Sequence, residues 1–511
     1  MDWFDSGWGL TLAIFLPVVG MAIVLMIPKE QELAVKLVAL LTTGATLAVS
    51  VALIALFDYD KTGDLQFEAD KSWVDVISSR YHIGIDGISL PLLALTALIT
   101  LMCVIYSWNH FPEPHNPKGF LALTLLLETG MIGTFAAQDL ILFFIFFELV
   151  LLPMFFMIGV WGGPNRVYAS IKFFLFTLFG SALMLLSFLA LFFLTDPHTF
   201  DIPKLAESAG EGIVGSTQNL IFLGLFLGFA IKVPMFPFHT WLPDAHTEAP
   251  TVGSVLLAAI LLKLGTYGFI RIALPVLPEA AEDWAPWIGL LAVIGIIYGA
   301  LCCLAQRDMK RLIAFSSVAH MGFVMLGIAT LTDFGINAAV FGMVAHGLIT
   351  GMLFFIAGSV QERFDTREMS RLGGLLTQAP RLGWIFGFCA MASLGLPGLA
   401  GFWGEFPAIL SAYEPGGGLS DVTFRVYMVA AAVGTVLAAG YLLWMFQRVA
   451  FGAVKDEWAD AHIHDVNVPE WIAWTPLLLL IVALGVYPNL VFRVTDGAAT
   501  SVADGIARVV G

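Results

Sequence analysis

Five ionisable residues stand where an apolar chain should reject them. They are Glu128 in LALTLLLETGMIG, Glu148 in LILFFIFFELVLLPMFFMIG, Lys232 in GLFLGFAIKVPMFPFHTW, Lys263 in SVLLAAILLKLGTYGF and Glu405 in LGLPGLAGFWGEF. A charge at the centre of a membrane-spanning helix costs about 2.5–3.5 kcal/mol, so each needs a partner, water or a function. Taken singly, each has the alternative reading of a structural ion pair that orients two helices. As a set of acids and bases spread over several helices they resemble a relay, in which titratable groups of mutually tuned pKa pass protons through intervening water. Histidine is the side chain best suited to carry protons near neutral pH. His320 and His346 lie inside apolar runs, with a hydrogen-bonded core role as the alternative, while His239 and His246 border the run that holds Lys232 and could connect it to one face. Asp244, Glu248, His462 and His464 read as a solvated loop face.

Other chemistries leave no trace. There is no dinucleotide fingerprint at a strand-to-helix turn, no phosphate loop and no histidine pair on one helix to ligate haem. Cys103, Cys302, Cys303 and Cys389 all fall inside apolar runs, not at metal-ligand spacing, so neither a disulfide nor a metal is expected.

The elements that must position these residues follow from composition. Of 511 residues 59% are hydrophobic and 12% charged, and the mean hydropathy is +0.88, the balance of a polytopic all-α membrane protein. A hydrocarbon core of about 30 Å needs roughly 20 apolar residues per helix. About fourteen runs qualify: 8–27, 33–57, 88–108, 119–136, 140–160, 171–194, 220–238, 252–274, 287–304, 312–331, 334–357, 382–410, 426–446 and 472–491. They are continuously apolar, which excludes a β-barrel. The first lacks a basic leader, Asp2 and Asp5 preceding it, and reads as a retained helix instead of a signal peptide.

Loops after odd-numbered runs hold 14 of the 24 basic residues, Lys310 and Arg311 among them, and those on the other side hold eight. The positive-inside rule then places both termini outside, on the periplasmic side if the chain is bacterial. Most of the −15 formal charge falls on the outer face.

Runs seven and twelve are broken. Pro234 and Pro237 deprive the carbonyls of Ala230 and Val233 of their usual partners, and Gly395-Leu396-Pro397-Gly398 interrupts run twelve just before Glu405. Breaks at corresponding places are the trace of an inverted repeat with ion sites at the breaks. One membrane domain is expected: N-terminal helices in 1–118, two inverted five-helix units in 119–274 and 286–446, and a last helix in 447–511.

On these residues the chain resembles the antiporter-like subunits of proton-pumping NADH:quinone oxidoreductase, respiratory complex I. The carrying motifs are DLILFFIFFELVLLPMFFM, KVPMFPFHTWLPDAHTEAPTVGSVLLAAILLKLGTYGF, LAQRDMKRLIAFSSVAHMGF and GLPGLAGFWGEF. Within the family it is similar to the M-type branch, counterpart of mitochondrial NADH dehydrogenase subunit 4. The resemblance implies that Glu148 and Lys232 form an interacting pair, that Lys263 is the central relay, and that Glu405 ends it where sister chains usually carry lysine. It further implies other complex I membrane subunits as partners, with NADH, FMN, iron–sulfur clusters and quinone held by those partners and no cofactor on this chain. A bacterial plasma membrane fits better than a mitochondrial one. A subunit of a multi-component sodium/proton antiporter or of a membrane-bound hydrogenase is the alternative.

Overall fold

The computed structural model describes residues 6–510, so Asp2 and Asp5 lie outside the described residues. The chain is helical apart from one hairpin. Helices α1 (Trp8–Met26) and α2 (Glu32–Leu56) lead to the antiparallel strands β1 (Gln66–Val74) and β2 (Ser79–Ile85), then α3 (Ser89–Tyr106), α4 (Pro117–Ala136), α5 (Leu140–Trp161) and α6 (Arg166–Leu194). The short α7 (Ile202–Ser208) precedes α8 (Gly215–Lys232), α9 (Trp241–Glu248), α10 (Thr251–Val276), α11 (Pro278–Leu304), α12 (Met309–Ala329) and α13 (Asp333–Phe364). The chain ends in α14 (Pro380–Ser393), α15 (Ala400–Ser411), α16 (Asp421–Ala450), α17 (Val468–Val486) and α18 (Asn489–Val510).

Among the described residues twelve helices are long and apolar enough to cross a membrane. The other two apolar runs are the broken ones: run seven becomes α8 and the turn that leads to α9, and run twelve becomes α14 and α15. Aspartates and an asparagine set several helix starts. Asp139 accepts from the amides of Ile141 and Leu142 to start α5, and Asp308 accepts from those of Lys310 and Arg311 to start α12. Asn467 and Glu470 form a reciprocal capping box on α17. Such caps contribute about 1 kcal/mol each.

The breaks have local causes. Gly395 and Gly398 take φ of +78° and +93°, which only glycine adopts at little cost, and so turn the chain between α14 and α15. Below α8 one of the two carbonyls expected to lose its partner, that of Ala230, finds another in the protein. The Ala230 carbonyl accepts from the Met235 amide at 2.9 Å, and that of Ile231 from Trp241 Nε1 at 2.9 Å. In α5, Pro153 removes the amide that would bond the Leu149 carbonyl, and the helix divides there at Val150.

Three features were absent from the sequence reading. The segment 58–87 forms the hairpin, α18 is an amphipathic helix laid on the bundle through Val491, Val494, Ala498, Val502 and Ile506, and α10 contains π-helical turns at Leu257–Leu261 and Phe269–Ala273. The most enclosed elements are α10, α12 and α13, which carry Lys263, His320 and His346. The four cysteines are free.

Candidate functional site

Lys263 lies between the two π-helical segments of α10 and is fully buried. Its ammonium donates to the Ala258 carbonyl, itself in the first π segment, at 2.6 Å. A π turn inside an α-helix commonly marks a functional position. On its other side Nζ meets His346 Nδ1 of α13, also at 2.6 Å. When lysine is the donor, His346 must accept at Nδ1 and carry its proton on Nε2; one proton moved across the contact reverses the roles.

The ring of His346 is 5.9 Å from that of His320 on α12, centroid to centroid. His320 Nδ1 meets Glu405 Oε1 at 2.5 Å, while its Nε2 is within reach of Tyr441 Oη at 3.1 Å and Ser393 Oγ at 3.3 Å. A cavity of about 20 Å³, room for one water, is lined by His320, His346, Thr350, Ser393 and Glu405. His346 Nε2 and Glu405 Oε2 have no protein partner among the described residues. Lys263, His346, His320 and Glu405 thus form one line of titratable groups across α10, α13, α12 and α15.

Glu405 is held by the break in run twelve. A Cβ on Gly395 would come within 3.3 Å of Glu405 Oε2, and a Cβ on Gly404 would come within 2.5 Å of the Gly342 Cα on α13. Glycine at both positions lets the broken helix sit against its neighbours with the carboxylate turned inward.

Glu148 and Lys232 form a second group. No N···O approach between them falls within 4.0 Å among the described residues, so the expected pair is not a contact ion pair. The Lys232 ammonium lies 4.6 Å from the centre of the Phe147 ring and is without a hydrogen-bond partner, and Glu148 has the Ser181 hydroxyl beside it. The two lysine-bearing helices touch at Gly265. A Cβ there would come within 2.8 Å of the Phe229 carbonyl and 3.1 Å of Lys232 Cβ.

The remaining expectations fare differently. His239 is buried among Phe236, Tyr298 and Phe315, its Nδ1 unpartnered, and makes no hydrogen bond to Lys232 among the described residues. His246 is fully buried and stacked on Phe354 at 4.5 Å. Glu128 is fully buried, and neither carboxyl oxygen has a hydrogen-bond partner among the described residues. Asp244 and Glu248 are not a solvated face. Asp244 pairs with Lys172 at 2.7 Å, and Glu248 accepts from the Asn165 amide at 2.9 Å, because α9 packs against α6 and α12. His462 and His464 are exposed as expected.

Sequence reasoning missed Tyr441 and Ser393 around His320, and no spacing in the sequence points to them. It also placed Lys310 in a loop, whereas Lys310 is buried and donates to the Ala249 carbonyl. Its position two residues after the capping Asp308 was the available signal.

Residues 137–439 match the family model described as NADH:quinone oxidoreductase/Mrp antiporter, TM, and residues 11–134 match that described as NADH-ubiquinone oxidoreductase chain 4, amino terminus. The chain is 40% identical over 488 residues to NADH-quinone oxidoreductase subunit M of Rickettsia prowazekii (strain Madrid E), covering 95% of this chain and 96% of the relative. Among solved structures it superimposes on a chain of respiratory complex I from Thermus thermophilus with bound NADH, with a TM-score of 0.86 and 30% identity over 97% of this chain and 99% of that one. A chain of the Mrp complex from Dietzia sp. DQ12-45-1b shares the fold, with a TM-score of 0.80 at 20% identity over 98% of each chain. The chain belongs to the NADH-quinone oxidoreductase subunit M family of antiporter-type membrane subunits.

Proposed function

We propose that this chain is a proton-translocating membrane subunit of an NADH:quinone oxidoreductase, driven by quinone reduction in partner subunits. The observation that carries the reading is the line Lys263–His346–His320–Glu405, two contacts of 2.6 and 2.5 Å joined across paired imidazoles beside a one-water cavity. Each member exchanges a proton without breaking a bond to carbon, and neighbouring donors and acceptors are what a proton wire requires.

Glu148 sets the charge state of Lys232 through space. Neutralising or moving Glu148 weakens the hold on the Lys232 proton, which passes towards Lys263 across the close α8–α10 contact at Gly265, then through the two histidines to Glu405. His239 serves the entry side of Lys232. The repeat boundaries 119–274 and 286–446 put one break in each half. NADH, FMN, iron–sulfur clusters and quinone belong to partners, with no cofactor here; other complex I membrane subunits, neighbouring antiporter-like chains included, flank this one.

Orientation follows the basic loops: termini on the periplasmic side of a bacterial plasma membrane, α9 and the start of α12 on the cytoplasmic side. Buried Lys310 is a poor reporter of this, so a cysteine at Arg311, half exposed, should label from the cytoplasmic side only and one at Lys204 from the outside only. The reverse pattern would overturn the orientation.

Lys263→Met tests the function. In the assembled complex it should keep NADH oxidation by an artificial acceptor yet lose quinone-linked proton transport. Native pumping by that variant refutes the relay, and purification with antiporter subunits alone, free of NADH-oxidising ones, favours a sodium/proton antiporter.

A further inference from the structure

On the face that carries the hairpin and α18 the molecule holds a polar basin of about 790 Å³, lined by Glu68, Asp70, His82, Asp201 and Arg271 among others. Arg271 lies on the same helix as Lys263. Eight residues at about 1.5 Å rise separate the two positions by roughly 12 Å along the helix axis, about two helical turns. A proton on Lys263 that escaped this way would cross without passing His346, His320 or Glu405. Something must close the route, and the residues between are unusual.

Tyr267, one turn beyond Lys263, is fully buried. Its hydroxyl donates to the Phe135 carbonyl at 2.9 Å and accepts from Arg271 Nε at 3.2 Å. Arg271 Nη2 in turn donates to Asp86 Oδ2. Asp86 is itself locked at the start of α3, where Oδ1 accepts from the Ile88 amide, the Ser89 amide and Ser89 Oγ, each at 3.0 Å.

We propose that Arg271, clamped by Asp86 and Tyr267, is a plug that stops protons held by Lys263 from leaking into the basin. A guanidinium has five donors, no acceptor and a permanent charge, so it can neither take a proton nor pass one on. The Tyr267 hydroxyl has its donor and acceptor roles filled, which ends any wire arriving from Lys263. A fixed positive group at a constriction also disfavours a passing hydronium, as arginines do in pores that exclude protons. Asp86 offsets the cost of burying the charge and fixes its position.

The plug rests on the proton-carrying role proposed for Lys263, and the test separates the two. The complex is reconstituted in liposomes, and passive proton entry is followed with a pH dye under a potassium diffusion potential, without NADH. Arg271→Met should raise passive entry on the order of tenfold, the effect of losing one charged hydrogen-bonded group, while quinone-linked NADH oxidation continues with a smaller gradient. Adding Lys263→Met to Arg271→Met should return the leak to the native level. If Arg271→Met fails to assemble, Arg271→Gln, which keeps polar contacts to Asp86 and Tyr267, carries the same comparison. An assembled Arg271 variant as tight as native, or a leak that survives Lys263→Met, overturns the plug. A complex with Lys263→Met alone that pumps at the native ratio overturns the relay, and the plug with it, whatever the leak.

Discussion

Lys263 Nζ and His346 Nδ1 meet at 2.6 Å across two of the three most enclosed helices of the bundle. The contact is possible because the first π turn of α10 offers the Ala258 carbonyl as a second acceptor on the same ammonium, so the lysine is held between a fixed dipole and a titratable ring.

His346→Asn, whose amide oxygen stands where Nδ1 does, separates these roles. The amide oxygen can still accept from Lys263, but an amide cannot carry a proton onward at neutral pH. Assembly and thermal stability should stay near native, while proton transport falls on the order of a hundredfold, the scale of losing a positioned proton-transfer group. Transport at the native rate would show that protons bypass His346.

Glu405 gives a second test, because its partners are specific. Glu405→Gln keeps the hydrogen bond to His320 but not the titratable group, whereas Glu405→Asp keeps the proton and draws the carboxyl back from the 2.5 Å contact. Pumping should be largely lost in the first and partly retained in the second, measured as dye quenching per NADH oxidised. Gly404→Ala should mimic Glu405→Asp at a cost of about 1–3 kcal/mol in stability, since the new Cβ would press on the Gly342 backbone. Full pumping by Glu405→Gln would remove its exit role.

Much of this site could be read in the sequence because a charge inside a 20-residue apolar run is conspicuous, whatever the fold. Glu148, Lys232, Lys263 and Glu405 were visible for that reason, and the two breaks were visible as Pro and Gly. The connections were not. His346 meets Lys263 on a helix interrupted by π turns, and apolar periodicity carries no signal for one extra residue in a turn. Lys310 looked like a loop charge because the apolar run begins at Leu312, yet Asp308 starts the helix earlier and draws the lysine inside. The amphipathic α18 escaped because its apolar residues are small and spaced at helical intervals, so no window averages to a membrane span.

Outside the membrane-spanning segments, His82 on β2 clasps the hairpin to the start of α7 through Asp201 at 2.8 Å and meets Glu68 of β1 at 2.9 Å. Burial works against the charged imidazole, but the Asp201 hydrogen bond and the charges of Asp201, Asp70 and Glu68 outweigh it and raise the His82 pKa above its ordinary value. Burial also opposes the Asp201 carboxylate, and the His82 hydrogen bond with the Lys204 amide holds its pKa below the usual value. A raised histidine pKa means that the stabilisation is full below the ordinary imidazole range and lost as pH rises through the folded pKa. The lowered Asp201 pKa means that its share is lost as pH falls through its own folded value. The clasp should therefore be tightest between about pH 4 and 6.5. Amide exchange in 66–85, corrected for intrinsic rate, should quicken above that window in the native chain and not in His82→Phe. A native profile flat with pH would dismiss the clasp.

Glu148 offers the sharpest test, because its chain neighbours Phe146, Phe147, Leu149 and Val150 supply no hydrogen-bonding side chain and a lone buried carboxylate is costly. With no ion pair to Lys232 within 4.0 Å among the described residues, the influence proposed for it on that lysine acts through space. Glu148→Gln keeps shape and volume and removes only the charge. The mutant complex should assemble, keep NADH oxidation by an artificial acceptor, and lose most quinone-linked oxidation and proton transport. The division of α5 at Val150 then decides which relocated carboxylate can compensate. Phe144 is one turn before Glu148 in the same straight segment, so adding Phe144→Glu to Glu148→Gln should restore part of the activity. Leu152 lies past the break and is 52% exposed on the outer surface of the bundle, so Leu152→Glu in the same background should restore none. Normal pumping by an assembled Glu148→Gln complex would reduce Glu148 to a structural group, and rescue by both relocations would show that the field at Lys232 does not depend on the geometry seen here.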